Sequence, residues 1–379
     1  MKKTVIILVC TLFVALNVFS QPSEFPKDKK EALKNVFKKY LDMGIPGLAV
    51  SVYTPSTGMW SYADGYSNLE NKTPMTLNNK FYLQSISKTY MAVVILKLNE
   101  EGKINLNDPM TKYLDYPWLN SIKDVDKITV KMLLNHTSGL EEYSTNPLMI
   151  SRIIQDPLTL ISVPEMLSYI KGSALLFEPG TKYQYRNTNY ELLSLIADKI
   201  TGDHSRFMKS IIFDKLNLDS TLYLTKENHE SDLNLVDAYW DVLQESRPVN
   251  ISKLQRATVA SMRGDDGLIA TTQDAVSFLK GLVEGKLLKP ETMAMMQEWV
   301  TNDNGEKRYG LGLTYYNLDV TYGIGHSGGG IGAGCVLIYL PELNGIVFMA
   351  TNFNTMMDSP IRKKAENIQT DILMSLFMN

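Results

Sequence analysis

Strand-forming runs stand at the two ends of this 379-residue chain, and the stretch between them is mostly helical in pattern. "GLAVSVYT" and "GMWSYADGYS" near residue 50, joined by a turn from Pro55 to Gly58, read as a hairpin. "YGLGLTYY", "AGCVLIYL" and "NGIVFMATN" return to strand in the last third, and residues from about 85 to 255 carry helices and loops. Strands and helices therefore do not alternate as β-α-β units. The pattern predicts an α+β fold: one antiparallel sheet assembled from both chain ends, flanked by helices, with a mostly helical inserted lobe. Helices are expected at "KDKKEALKNVFKKYLDMG", with Leu33, Val36, Phe37, Tyr40 and Leu41 on one face, and from about Ser359 to Phe377.

The first residues place Lys2 and Lys3 before an apolar run from Val5 to Leu16, then Val18 and Ser20 at small-residue positions. That run is short for a membrane span, which needs about 20 residues. Val9 before Cys10 does not suit a lipoprotein site. A signal peptide over residues 1–20, cleavage near Ser20, a linker over 21–27 and a domain over 28–379 are the expectation, with no stable membrane span in the mature chain. Within the domain, one lobe would take residues 28–80 and 260–379, and the helical lobe 81–259. Loss of Lys2 and Lys3 takes the formal charge from -3 to -5, which gives no basic field for nucleic acid. A small-molecule or peptide substrate fits that charge better. Only Cys335 would remain after cleavage, so no intrachain disulfide is expected, and a buried packing role suits it.

Residues 322–334, "YGIGHSGGGIGAG", match two motifs at once. Gly323, Gly325 and Gly328 spell the dinucleotide fingerprint; Gly325, Ser327 and Gly329 spell the nucleophile elbow. Both motifs require a helix next, and "CVLIYLPELNGIVFMATN" reads as strand, turn, strand. No histidine follows Ser327, as the elbow's triad order would need, and His136, His204, His229 and His326 have no paired metal spacing. No cofactor and no metal is expected.

A different serine stands out. "FYLQSISKTYMAVVILKLNEEG" opens a helix near Ser85 that is apolar nearly all round from Met91 to Leu98 and ends at Gly102. Lys88 lies three residues from Ser85, on the same face. A lysine in the first turn of a buried helix should lose proton affinity through desolvation and the helix dipole, as a base for a serine hydroxyl requires. The same residues would also suit a plain helix start, with Ser85 or Ser87 capping and Lys88 reaching solvent. Further on, "FEPGTKYQYRNTNYELLSLIADKITG" puts Tyr185 and Asn187 just ahead of a helix that Thr188 and Glu191 could cap as a box.

Taken together, "FYLQSISKTY", "EEGKINLNDPMTKYL", "ITVKMLLNHTSGL", the Tyr185 segment, "GDDGLIATTQDAVSFL", "YGLGL" and "GIGHSGGG" resemble the serine beta-lactamase and D-alanyl-D-alanine carboxypeptidase family, especially its class C and esterase-like branch. They come in the family's order and cover most of residues 45–350. The resemblance implies a beta-lactamase/transpeptidase-like fold. It makes Ser85 the acylated nucleophile and Lys88 and Tyr185 the proton-transfer groups. Asn187, His326, Ser327, Gly328 and Gly329 would bind substrate, with the N–H groups of Ser85 and Gly329 as the oxyanion hole.

Two positions depart from the family's usual pattern. Arg186 stands where serine is common, and either favours an acidic substrate group or points to solvent. The third motif is H-S-G rather than K-T-G, which leans toward a peptidase or esterase and makes the positioning charge titrate near pH 6.5. His136 is expected on a structural loop. Asp265 and Asp266, as neighbours on a strand, would face opposite ways and are left out of the site. The implied activity is an exported serine hydrolase acting on a D-amino-acid peptide, ester or amide, peptidoglycan fragments included. A class C-like beta-lactamase and a catalytically silent penicillin-binding-like protein are the alternatives.

Overall fold

In the computed structural model, residues 23–318 and 321–377 are described; the expected signal peptide lies outside them. Helix α1 (Lys27–Asp42) buries Leu33, Phe37 and Tyr40. It leads into strands β1 (Gly47–Thr54), β2 (Gly58–Asn68) and β3 (Thr73–Pro74). The helical insertion includes α2 (Ser87–Glu100) and α3 (Asn187–Thr201), and α4 (Thr272–Val283) follows it. The chain then adds β4 (Val300–Thr301), β5 (Lys307–Tyr309), β6 (Thr314–Asn317), β7 (Tyr322–Gly329), β8 (Gly334–Leu340) and β9 (Gly345–Thr351).

The nine strands form one sheet in the order β3-β2-β1-β9-β8-β7-β6-β5-β4, antiparallel throughout. Its centre is the join of the two chain ends, where Leu48 pairs with Thr351 and Tyr53 with Ile346. Side chains alternate across a strand, and here both faces are covered. On β8, Cys335 and Leu337 join the core under the helical insertion, while Val336, Ile338 and Leu340 join the one under α1. This is the predicted α+β architecture.

Two boundaries differ from expectation. The C-terminal helix is broken into α5 (Pro360–Lys364) and α6 (Ile368–Phe377), each burying its own anchors, Ile361 and then Ile372 with Leu376. Asp371 of α6 accepts hydrogen bonds at 2.7 Å from both Lys39 and Tyr40 of α1. "YGLGLTYY" is two strands around a turn, closed by Gly310 N–H donating to the Leu313 carbonyl at 2.8 Å. Gly312 takes φ +83° there, and its carbonyl accepts from Thr89 of α2 at 2.8 Å. That contact fixes Tyr309 beside the start of α2. Among the described residues, no helix is long and apolar enough to cross a membrane.

α2 is buried from Ser87 through Leu96, as its all-round apolar run predicts. Tyr90 stacks on Phe278 of α4 with ring centroids 3.5 Å apart. The start of α2 is thus held between the sheet and the insertion, inside the core. A polar side chain there must find its partners within the protein.

Candidate active site

The chain enters α2 through a single turn of 3-10 helix, Gln84–Ile86. Gln84 adopts φ +49°, which a non-glycine residue tolerates only where its surroundings enforce it. The surroundings are on β7. A methyl group at Gly328 would lie 2.5 Å from the Leu83 carbonyl oxygen and 2.7 Å from both Gln84 Cβ and Cys335 Sγ, so only glycine lets the strand come this close. With its amide oriented to satisfy every partner, Gln84 donates to Asp266 Oδ2 (2.7 Å) and to the Gly329 carbonyl (3.2 Å) and accepts from Gln255 (2.8 Å). Gln84 therefore ties the turn carrying Ser85 to the strand carrying Gly329.

Lys88 is fully buried. Its ammonium donates to Ser85 Oγ at 2.9 Å and to the Asp265 carbonyl at 2.8 Å, with Asp265 Oδ2 at 3.9 Å. It stands 5.2 Å from the centre of the Tyr185 ring. Burial pulls the lysine's pKa down, but Tyr185, Asp265 and Asp266 more than offset it, and the net shift is upward. The expectation of a lysine weakened as a cation is therefore overturned, because the groups that offset burial, Tyr185 and the Asp265–Asp266 pair, come from far along the chain.

Tyr185 arrives on the loop ahead of α3, buried against His136 (ring centroids 4.3 Å) and Tyr309 (6.0 Å). Its hydroxyl is buried near Ser85 and Lys88 without a well-formed hydrogen bond. Burial raises its pKa, Lys88 and Ser85 pull it down, and the balance is upward. Asn187 is the first residue of α3, its N–H donating to Glu142 Oε2 at 2.6 Å. The predicted capping box does not form. Thr188 instead donates to the Glu141 carbonyl (2.6 Å), and Glu191 is buried, accepting from the N–H groups of Arg263 and Gly264 at 3.0 and 3.2 Å. Arg186 is half-buried, its Nε without a partner.

His326 is buried on β7. Its Nδ1–H donates to the Ser327 carbonyl at 2.6 Å, which leaves Nε2 to accept from the Tyr309 hydroxyl at 2.9 Å. Burial and the Lys88 charge lower its pKa to about 3. The expected pH-sensitive charge near 6.5 is thus absent, and the imidazole is neutral across the physiological range. Ser327 and Gly329 are exposed on the same strand.

His136, at φ +60°, accepts at Nδ1 from Arg186 N–H (3.2 Å) and the Asn189 amide (3.0 Å). Burial, Lys88 and His326 hold its pKa well below the usual value, so it too is neutral. Ser85, Lys88 and Tyr185 are together, then, with β7 against the Ser85 turn and Asn187 two residues beyond Tyr185.

Sequence reasoning missed Asp265 and Asp266. They precede the short strand Leu268–Ala270 rather than lying on it, and both are buried. The available signal was two adjacent acids opening an apolar segment. Burial and Asp265 push Asp266 up to about 8. A folded-state value above the unfolded one means stability present below about pH 4 and lost as pH rises through 8. Asp266→Asn is expected to remove that loss, gaining roughly 2–4 kcal/mol relative to the parent between pH 5 and pH 8.5. Urea unfolding at the two pH values checks it.

The Beta-lactamase family profile matches residues 33–370. Penicillin-binding protein 4* of Bacillus subtilis is 26% identical over 329 residues, 82% of this chain and 69% of that protein. Protein flp of Staphylococcus aureus (strain MRSA252) is 26% identical over 226 residues, 59% of this chain, and the match spans 43% of flp's length. The D-amino acid amidase of Ochrobactrum anthropi SV3, solved with L-phenylalanine amide, superposes with a TM-score of 0.78 at 21% identity, over 92% of this chain and 99% of that one. By the extent of the profile match, the chain belongs to the Beta-lactamase family.

Proposed function

We propose that the protein is an exported hydrolase that cleaves amides, peptides or esters of D-amino acids through an acyl-enzyme on Ser85. The observation that carries this reading is the buried Lys88 ammonium 2.9 Å from Ser85 Oγ, beside a Tyr185 hydroxyl that no other group claims. Loss of one proton from the Lys88–Tyr185 pair makes it a base. Ser85 Oγ attacks the carbonyl carbon as its proton passes to the pair, and the same proton then goes to the leaving nitrogen or oxygen. The N–H groups of Ser85 and Gly329 receive the developing oxyanion. Water then releases the acyl group by the reverse proton path.

Asn187 would hold the substrate amide, and Ser327, Gly328 and Gly329 the acyl backbone along β7. His326 serves by bracing that strand against Tyr309, since both ring nitrogens are already engaged. Preference for D-amino-acid substrates is supported by the amidase fold, and export by the Lys2 to Ser20 pattern.

A panel of D- and L-phenylalanine amide, D-alanyl-D-alanine, p-nitrophenyl acetate and benzylpenicillin tests this. Hydrolysis of a D-amide or D-peptide at least tenfold faster than its L-counterpart and than penicillin is expected. Penicillin as the fastest substrate would make the protein a class C-like beta-lactamase. A stable penicillin adduct with no turnover of anything in the panel would make it a silent binding protein.

A further inference from the structure

Lys88 is a buried cation, and a buried charge needs a counter-charge. From its own turn it meets Ser85, and from α3 and its leading loop the rings of Tyr190 (5.9 Å) and Tyr185 (5.2 Å). His136 and His326, both neutral, face it from the remaining sides. The carboxylates come from one segment, residues 263–267. Asp265 places its carbonyl at 2.8 Å and Oδ2 at 3.9 Å from the ammonium; Asp266 is turned toward Gln84.

Asp265 is itself held from behind. The Tyr143 hydroxyl donates to Oδ2 at 3.4 Å, and Oδ1 is buried without a hydrogen-bond partner. Behind it, burial and the neighbouring Asp265 keep the Glu191 carboxyl well above the usual range, while its oxygens accept from the backbone of Arg263 and Gly264. Glu142, a little further off, is also pushed up by burial. Asp265 is thus the carboxylate within ion-pair range of the Lys88 ammonium.

We propose that Asp265 is the fixed counter-ion of Lys88 and a positioning residue for the reaction, holding the lysine as an ammonium so that the phenol oxygen of Tyr185 takes the proton of Ser85. The step balances. The Ser85 O–H bond breaks as Oγ bonds to the carbonyl carbon, the proton moves to the Tyr185 phenolate, and it leaves with the departing amine or alcohol. Asp265 neither gains nor loses a proton. Its charge selects which member of the Lys88–Tyr185 pair gives one up.

This inference rests on Ser85, Lys88 and Tyr185 being the reacting groups. The test is the pH profile of Ser85 acylation in the wild type and in Asp265→Asn, which keeps the shape and removes the charge. A negative charge beside the pair makes its proton harder to lose, so removing it is expected to move the acid limb down by about one pH unit or more. Coincident limbs would overturn the proposal while leaving the acyl-enzyme reading standing. Absence of any Ser85 adduct in the wild type would overturn that reading instead. A second measurement needs no turnover: 13C NMR of lysine Cε in the wild type, with the Lys88 signal assigned by its absence from the spectrum of folded Lys88→Arg. The proposal requires the ammonium to persist through neutral pH, and a Lys88 found neutral at pH 7 would overturn it.

Discussion

Ser85→Ala is expected to lower kcat/KM by at least about 10^4-fold, because the step it removes is the bond between enzyme and acyl group. What remains would come from the oxyanion site and binding. The substitution also takes away an acceptor of Lys88, yet the ammonium keeps the Asp265 carbonyl at 2.8 Å and the carboxylate behind it. The variant should therefore fold, with a cost of about 1 kcal/mol for the lost hydrogen bond. Thermal unfolding beside the kinetics separates the two effects. Activity within tenfold of the parent, from a preparation free of wild-type protein, would mean that the nucleophile is elsewhere.

The second large effect belongs to Tyr185→Phe, and it is the sharper of the two because stability and activity should move in opposite directions. The Tyr185 hydroxyl is buried without a well-formed partner, so the folded state gains little from it and bears part of the cost of its desolvation. Removing it should leave the melting temperature unchanged or slightly higher. The ring that packs on His136 and Tyr309 is retained. If this hydroxyl moves the proton, kcat/KM falls by about 10^2- to 10^4-fold. A structural tyrosine would show the reverse, with activity kept and stability lost.

Much of this architecture was legible in the sequence because it depends on local pattern. The hairpin of β1 and β2, the all-apolar run of α2 and the three-residue step from Ser85 to Lys88 are written in neighbouring residues. The glycine run at 322–334 was also readable, once the absence of a following helix separated it from the motifs it imitates. Gly328 gives the physical reason for one of those glycines, since no side chain fits between β7 and the turn at Leu83 and Gln84.

The charge states were not legible. Lys88 reads as a weakened cation when only its helix is considered, and the structure reverses the sign through a segment far along the chain. His326 reads as a titrating group near pH 6.5, and burial against Tyr309 makes it a neutral brace. Glu191 reads as a cap partner and is instead a buried acid under the loop that carries Asp265. Each error has one cause: desolvation and long-range pairing decide a pKa, and neither appears in residue spacing. The φ of +49° at Gln84 is likewise fixed by β7, Asp266 and Gln255 rather than by its neighbours in the chain.

The central claim is a covalent acyl group on Ser85, and intact-mass and peptide-mapping mass spectrometry after brief exposure to benzylpenicillin reads it directly. The account predicts one added penicilloyl mass per chain, located on the peptide containing Ser85 and absent in Ser85→Ala. An adduct mapped to Ser327 or to any other residue, or an equal adduct on the alanine variant, would contradict it.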